Sequence, residues 1–145
     1  SLLEKNKDLF EFFKFMIDYR KKHPVIRKKL DNAVCGMEAM HAHDVNAERM
    51  EVPQNAKTLA VSFAGYDRKK GKDDLVYVAV NAYWEEVKIT LPNLANHGAW
   101  YLSVDTYGDE KGKYFYQEGE EIRIDREYVM KPRSIVVFTG REILR

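Results

Sequence analysis

From about Thr58 onward, apolar residues alternate with polar or small ones in short runs. Leu59, Val61 and Phe63 alternate with Ala60 and Ser62, and Val76, Val78 and Val80 with Tyr77, Ala79 and Asn81. Val87, Ile89 and Leu91 flank Lys88 and Thr90, and Trp100, Leu102 and Val104 flank Tyr101 and Ser103. Ile122 and Ile124 alternate with charges, and Ile135, Val137 and Thr139 end the series before Gly140. A period of two marks strands that turn one face inward. Turn-forming stretches at 67–74, 92–98, 108–113 and 118–121 separate the runs. Short strands at this spacing, with no helices between them, predict an antiparallel β-sandwich. Residues 31–57 carry little periodicity and are expected to be irregular, with one or two short strands.

The first 30 residues follow a different rule. Ser1 and Glu4 have the spacing of a capping box, in which side chain and backbone satisfy each other's free N–H groups. Leu9, Phe10, Phe13, Met16 and Ile17 then share one face at helical spacing, and Phe12, Phe15 and Tyr19 add a second apolar side. Only a narrow strip with Asp8, Glu11, Lys14 and Asp18 is polar. Arg20, Lys21 and Lys22 sit where positive charge suits the helix dipole, and Pro24 disfavours helical geometry at His23. The pattern predicts a helix over 3–22. A surface helix needs one apolar stripe; this one is expected to be covered from two sides.

The chain has 145 residues, 45% of them apolar and 32% charged, which suffices for a folded core. With 24 basic and 23 acidic residues the net charge is +1, so nothing pulls it toward nucleic acid or an anionic membrane. There is no run of 18 apolar residues and no signal peptide, so no membrane span is implied. The one cysteine, Cys35, cannot staple the fold and fits a reducing cytosol, so a cytoplasmic location is expected.

Five segments, in order, carry a family resemblance: the helix with its Arg-Lys-x-His-Pro ending, "KTLAVSFAG" at 57–65, "DLVYVAVNAYWEEVKITLP" at 74–92, "WYLSVDT" at 100–106 and "KPRSIVVF" at 131–138. Together they resemble the C-terminal end of isoamylase-type glycogen debranching enzymes, in the α-amylase superfamily of glycoside hydrolases. At 41–46 the chain departs from the family, with Ala42 where relatives tend to carry Trp. The resemblance implies a (β/α)8 catalytic barrel upstream that hydrolyses α-1,6 branch points of glycogen or starch. Residues 1–30 then correspond to the last barrel helix. Residues 31–145 correspond to the C-terminal domain, a mainly β, Greek-key-like antiparallel β-sandwich preceded by that one helix. The family's catalytic carboxylates lie on barrel strands, and no segment here matches their motifs.

The residues themselves offer few sites. Retaining glycosidases need two carboxylates about 5–5.5 Å apart, whereas Glu85 and Glu86, as strand neighbours, would point to opposite faces. They read as solvated turn residues, and no catalytic residue is assigned. Tyr83 and Trp84 are the carbohydrate-binding candidates, because an exposed aromatic face can stack on a sugar ring. The competing reading, which we weigh above it, is a hairpin corner buried or packed on the helix as a joint. His41, His43 and Asp44 have strand spacing for a metal but no evident further ligand. No metal or cofactor is assigned. Cys35 reads as a small buried apolar residue, and the four cations at 67–72 as a solvated hairpin tip.

The expectation is therefore a non-catalytic domain that stabilises a catalytic barrel, its principal partner, with α-glucan reached through the parent enzyme. The alternative is a free-standing carbohydrate-binding β-sandwich module. In isolation the chain is expected to pair as a homodimer through helix 3–22, since one apolar side of that helix would lose its cover.

Overall fold

The computed structural model describes residues 2–43, 58–94 and 98–142. The predicted helix is present as α1, Leu2–Lys22. Pro24 stops it and opens a short 3-10 turn, Pro24–Ile26. Among the described residues eight strands follow: β1 Met40–His43, β2 Thr58–Asp67, β3 Lys72–Asn81, β4 Val87–Thr90, β5 Gly98–Asp105, β6 Ile122–Ile124, β7 Glu127–Met130 and β8 Ser134–Glu142. Six form one sheet in the order β1-β2-β3-β8-β5-β6, and β4 pairs with β7 as a second layer. Every pairing is antiparallel. The architecture is the mainly β sandwich that the two-residue period predicts. The proposed capping residue, Ser1, lies outside the described residues.

β7 is absent from the periodicity reading. Only Tyr128 and Met130 mark its inner face, and charges precede them. Its pairing with β4, Val87 opposite Met130 and Ile89 opposite Tyr128, closes the core from the second layer. That core holds Tyr77, Trp100 and Phe138 from the large sheet against Ile89, Leu91 and Met130. Trp100 meets the Tyr77 ring edge-on at 5.8 Å, and its Nε1–H donates to the Pro92 carbonyl at 2.8 Å. A buried indole thus adds its large apolar area without leaving a donor unsatisfied.

The opposite face of the large sheet carries α1. Phe15 and Tyr19 pack with Val25 on Val76, Val104 and Val137, with Phe12 and Met16 partly buried beside them. Aromatic contacts extend the seam, Phe15 to Phe115 at 5.0 Å and Phe12 to Tyr114 at 5.2 Å between ring centres. Polar bonds fix the C-terminal half. The Tyr19 hydroxyl lies 2.7 Å from Thr139 Oγ1. Asp74 pairs with His23 Nδ1 at 2.6 Å and accepts the Val25 N–H at 3.1 Å. Downstream, the chain crosses β2 so closely that a Cβ on Gly65 would lie 2.6 Å from Leu30 Cβ, so only glycine fits there.

Of the two apolar sides read on the helix, the Phe12, Phe15 and Tyr19 side is the one the sandwich covers. On the other side Leu9, Phe10, Phe13 and Ile17 are 52–67% exposed. α1 also leaves part of its own sheet face open. Leu59, Val80 and Ile135 stand side by side in register across β2, β3 and β8 and are 37–45% exposed. Strand alternation puts them on the face that carries Val76 and Val137.

Candidate functional site

The stretch Val80 to Glu86 is where the chain leaves β3 in the large sheet for β4 in the small one. The hinge is Asn81, only 1% exposed. Its Oδ1 accepts the Tyr83 N–H at 2.9 Å, while its Nδ2 donates to the carbonyls of Glu85 at 3.0 Å and Lys131 at 3.1 Å. The Arg133 N–H donates to the Tyr83 carbonyl at 3.0 Å. One side-chain amide therefore satisfies backbone groups on both sides of the corner and ties it to the β7–β8 turn. That matters because corner groups unpaired near a core each cost about 1–3 kcal/mol. The fixed backbone turns Trp84 outward, 64% exposed, with Tyr83 half-buried beneath it at 5.4 Å between ring centres.

A second loop is built by the same device. Asp105, at the end of β5, accepts the Tyr107 N–H at 3.0 Å through Oδ1 and the Tyr128 hydroxyl through Oδ2. Thr106 exchanges two bonds with Ile135 of β8: its N–H donates to the Ile135 carbonyl at 3.0 Å, and its Oγ1 accepts the Ile135 N–H at 2.9 Å. Tyr107 is left 59% exposed. Lys131 spans the two loops. Its Nζ is 2.8 Å from Glu86 Oε1 and 5.9 Å from the Tyr107 ring centre. The Glu86 hydrogen bond raises the pKa of the Lys131 ammonium.

Sequence reasoning brought out Tyr83 and Trp84 and missed Asn81, Tyr107 and Lys131. The available signal was an Asn or Asp ending a strand two residues before an aromatic, as in Asn81-Ala-Tyr83 and Asp105-Thr-Tyr107. That spacing is an Asx turn, in which the side chain bonds the backbone two residues on. The expectation that Trp84 is buried or packed on the helix is not met within this chain. The crossover between sheet layers turns the residue away from both cores. Glu85 and Glu86 are exposed, as expected of turn carboxylates.

The other sequence candidates are structural. Cys35 is half-buried against the core, its N–H bonded to Asp73 at 2.9 Å, and burial pushes its thiol pKa up. His41 pairs with Glu38 at 2.9 Å; Asp44 and the side chain of His43 lie outside the described residues. No three His, Cys, Asp or Glu side chains among the described residues converge as a metal site. Arg68, Lys69 and Lys70 form the exposed tip of the β2–β3 hairpin, where Asp67 accepts the Lys69 N–H at 3.0 Å. No described helix is long and apolar enough to cross a membrane.

The buried carboxylates are committed elsewhere. Asp67 holds its turn, Asp74 holds His23 and Val25, Asp105 holds Tyr107 and Tyr128, and Glu121 pairs with Arg141. A glycosidic general acid needs a raised pKa. The displaced acids here move the other way: Asp109 through the Lys113 N–H and Glu120 through the Lys113 ammonium. At Glu118, partial desolvation is outweighed by Lys22. A cavity of about 540 Å³ opens between the α1 C-terminus and the β2–β3 hairpin. Its polar lining includes the His23–Asp74 and Glu121–Arg141 pairs, which already satisfy each other.

A family model described as the C-terminal region of isoamylase matches residues 37–139. Comparison with curated proteins gives no match. The matched span starts after α1, just before β1, and runs into β8, so both sandwich layers and the aromatic corner fall inside it. With that span covering more than half of the sequence, the chain belongs to the isoamylase C-terminal domain family.

Proposed function

We propose that this chain is a non-catalytic C-terminal β-domain of an isoamylase-type, glycogen- or starch-debranching glycoside hydrolase, and that it stabilises the catalytic barrel by seating against it. The observation that carries the reading is the pair of open apolar surfaces on the helix side of the large sheet. Leu9, Phe10, Phe13 and Ile17 form one, and the Leu59, Val80 and Ile135 row forms the other. Contiguous apolar surface of this kind marks an interface. Burying one such side chain is favourable by about 1.5–3 kcal/mol. The buried carboxylates support the non-catalytic part, because Asp67, Asp74, Asp105 and Glu121 are each already committed to backbone or side-chain partners. The parent's hydrolysis of α-1,6 branch points rests on the resemblance of the five sequence segments. The lone half-buried thiol of Cys35 agrees with a reducing cytoplasm.

A free-standing carbohydrate-binding module is the competing reading, and the exposed Trp84 favours it. It leaves the outer side of α1 without a purpose, since a self-sufficient module has no need of a second apolar helix face. The test is the reading frame upstream of Ser1, followed by Phe10→Lys/Phe13→Lys in the product it encodes. A barrel with its carboxylate motifs, and a lower melting temperature in the double variant, are expected. A stop codon upstream, or a variant as stable as the parent, overturns the reading.

A further inference from the structure

We propose that the corner formed by Tyr83, Trp84 and Tyr107, with Glu86 and Lys131 beside them, binds an α-glucan chain. Three features of the corner carry this. The first is exposure on a rigid frame. Trp84 and Tyr107 present their rings to solvent while Asn81 and Asp105 hold the backbone behind them. A ring so held loses little freedom on binding.

The second feature is the company the aromatics keep. Glu85, Glu86 and Arg133 are exposed around Trp84, and Lys131 is half-buried. Aliphatic Val80 and Ile135 border the corner on the large sheet, but the residues that flank the aromatic rings themselves are charged. A protein docking core is depleted of charge. A sugar ring asks for the opposite, an aromatic plane for its C–H face and hydrogen-bonding groups for the hydroxyls at its rim. Glu86 accepts and Lys131 donates, and their 2.8 Å bond keeps both in place.

The third feature is charge. Two acids, Glu85 and Glu86, balance two bases, Lys131 and Arg133. Single-stranded nucleic acid also stacks on aromatics but needs a basic groove for its phosphates. A balanced corner selects a neutral polyhydroxylated ligand. That the glucan is α-linked rests on the isoamylase-type reading above; the stacking geometry does not depend on it.

The test uses this chain in native gels containing glycogen, a β-glucan or neither, with maltoheptaose titration by calorimetry. Retardation by glycogen, binding of maltoheptaose, and a loss of about tenfold or more in affinity on Trp84→Ala at unchanged melting temperature are expected. Tyr107→Ala should weaken binding less, and Trp84→Phe should restore much of it. Absence of retardation in both glucans overturns the proposal, as does an undiminished affinity in Trp84→Ala. A melting temperature lowered by Trp84→Ala, with affinity unchanged, overturns it in favour of a packing role. Retardation by the β-glucan alone overturns the α-glucan assignment, while the barrel-docking reading stands or falls on the Phe10 and Phe13 variant.

Discussion

Asn81 and Tyr83 are joined by a 2.9 Å bond from the tyrosine N–H to the asparagine Oδ1, and this bond sets the direction in which Trp84 leaves the fold. The same amide donates to the carbonyls of Glu85 and Lys131, so a single buried side chain couples the β3–β4 corner to the β7–β8 turn. Asn81→Ala is expected to destabilise the chain by about 1–3 kcal/mol, the usual cost of leaving buried polar groups unpaired. Asn81→Asp should also destabilise, because it keeps the acceptor but turns a carboxylate toward two carbonyls. Urea denaturation reads both effects. Glucan affinity should fall in parallel, since the ring would lose its fixed frame.

Asp74 should be worth a similar amount at the other end of the molecule. Its carboxylate, 5% exposed, meets His23 Nδ1 and the Val25 N–H and so anchors the C-terminal end of α1 to β3. Asp74→Ala strips both partners and is expected to cost about 1–3 kcal/mol. Hydrogen exchange distinguishes a local from a global loss. The Val25 amide should lose protection well before amides in β3 and β8, because the damage begins where the helix meets the sheet.

How far the sequence foretold the structure depended on the kind of signal. The strands with period-two runs, such as Val76 to Val80 and Trp100 to Val104, were legible because alternation directly encodes a half-buried sheet. β7 was not, since its two inward residues give no period. The two apolar sides of α1 were legible, but which one meets the sandwich was not. That choice is made by partners far along the chain, Phe115 for Phe15 and Thr139 for Tyr19. The aromatic corner was half legible. Tyr83 and Trp84 stood out as a pair, whereas Tyr107 and Lys131 join them only through tertiary contacts.

Alkaline pH should unfold the protein through its buried tyrosines. Desolvation pushes the Tyr19 hydroxyl far above its ordinary range, against the lowering effect of its bond to Thr139. Desolvation does the same to Tyr77, and at Tyr128 it is reinforced by the neighbouring Asp105 carboxylate. In the unfolded chain all three ionise near pH 10. A folded-state pKa raised above that value means that the native state keeps protons the unfolded state has released. The associated stability is therefore complete below about pH 10 and is lost progressively as pH rises toward the folded values. Absorbance at the tyrosinate band should stay short of its full amplitude at the pH where an unfolded chain would reach it. The three buried rings should titrate later, together with loss of the far-ultraviolet strand signal. A smooth titration of all nine tyrosines with the fold intact would refute the burial argument.

The outer side of α1 leads to the last prediction. The isolated chain is expected to self-associate through Leu9, Phe10, Phe13 and Ile17, most simply as a two-fold pair of helices. Each of these residues gains about 1.5–3 kcal/mol on full burial. A helix-to-helix contact would bury several of them on each copy, enough to offset the lost freedom of two molecules at modest concentration. The informative control is Phe10→Lys/Phe13→Lys, which puts charge on the exposed side and spares the side that folds. Substituting Phe12 and Phe15 instead would damage the core, since Phe15 is 5% exposed and stacks on Phe115 at 5.0 Å. Light scattering should give a dimer for the parent chain and a monomer for the Phe10 and Phe13 variant, with equal melting temperatures once dilution separates the parent. A parent chain that stays monomeric at high concentration would mean that this helix face tolerates water, and would remove the main physical support for its docking on a catalytic barrel.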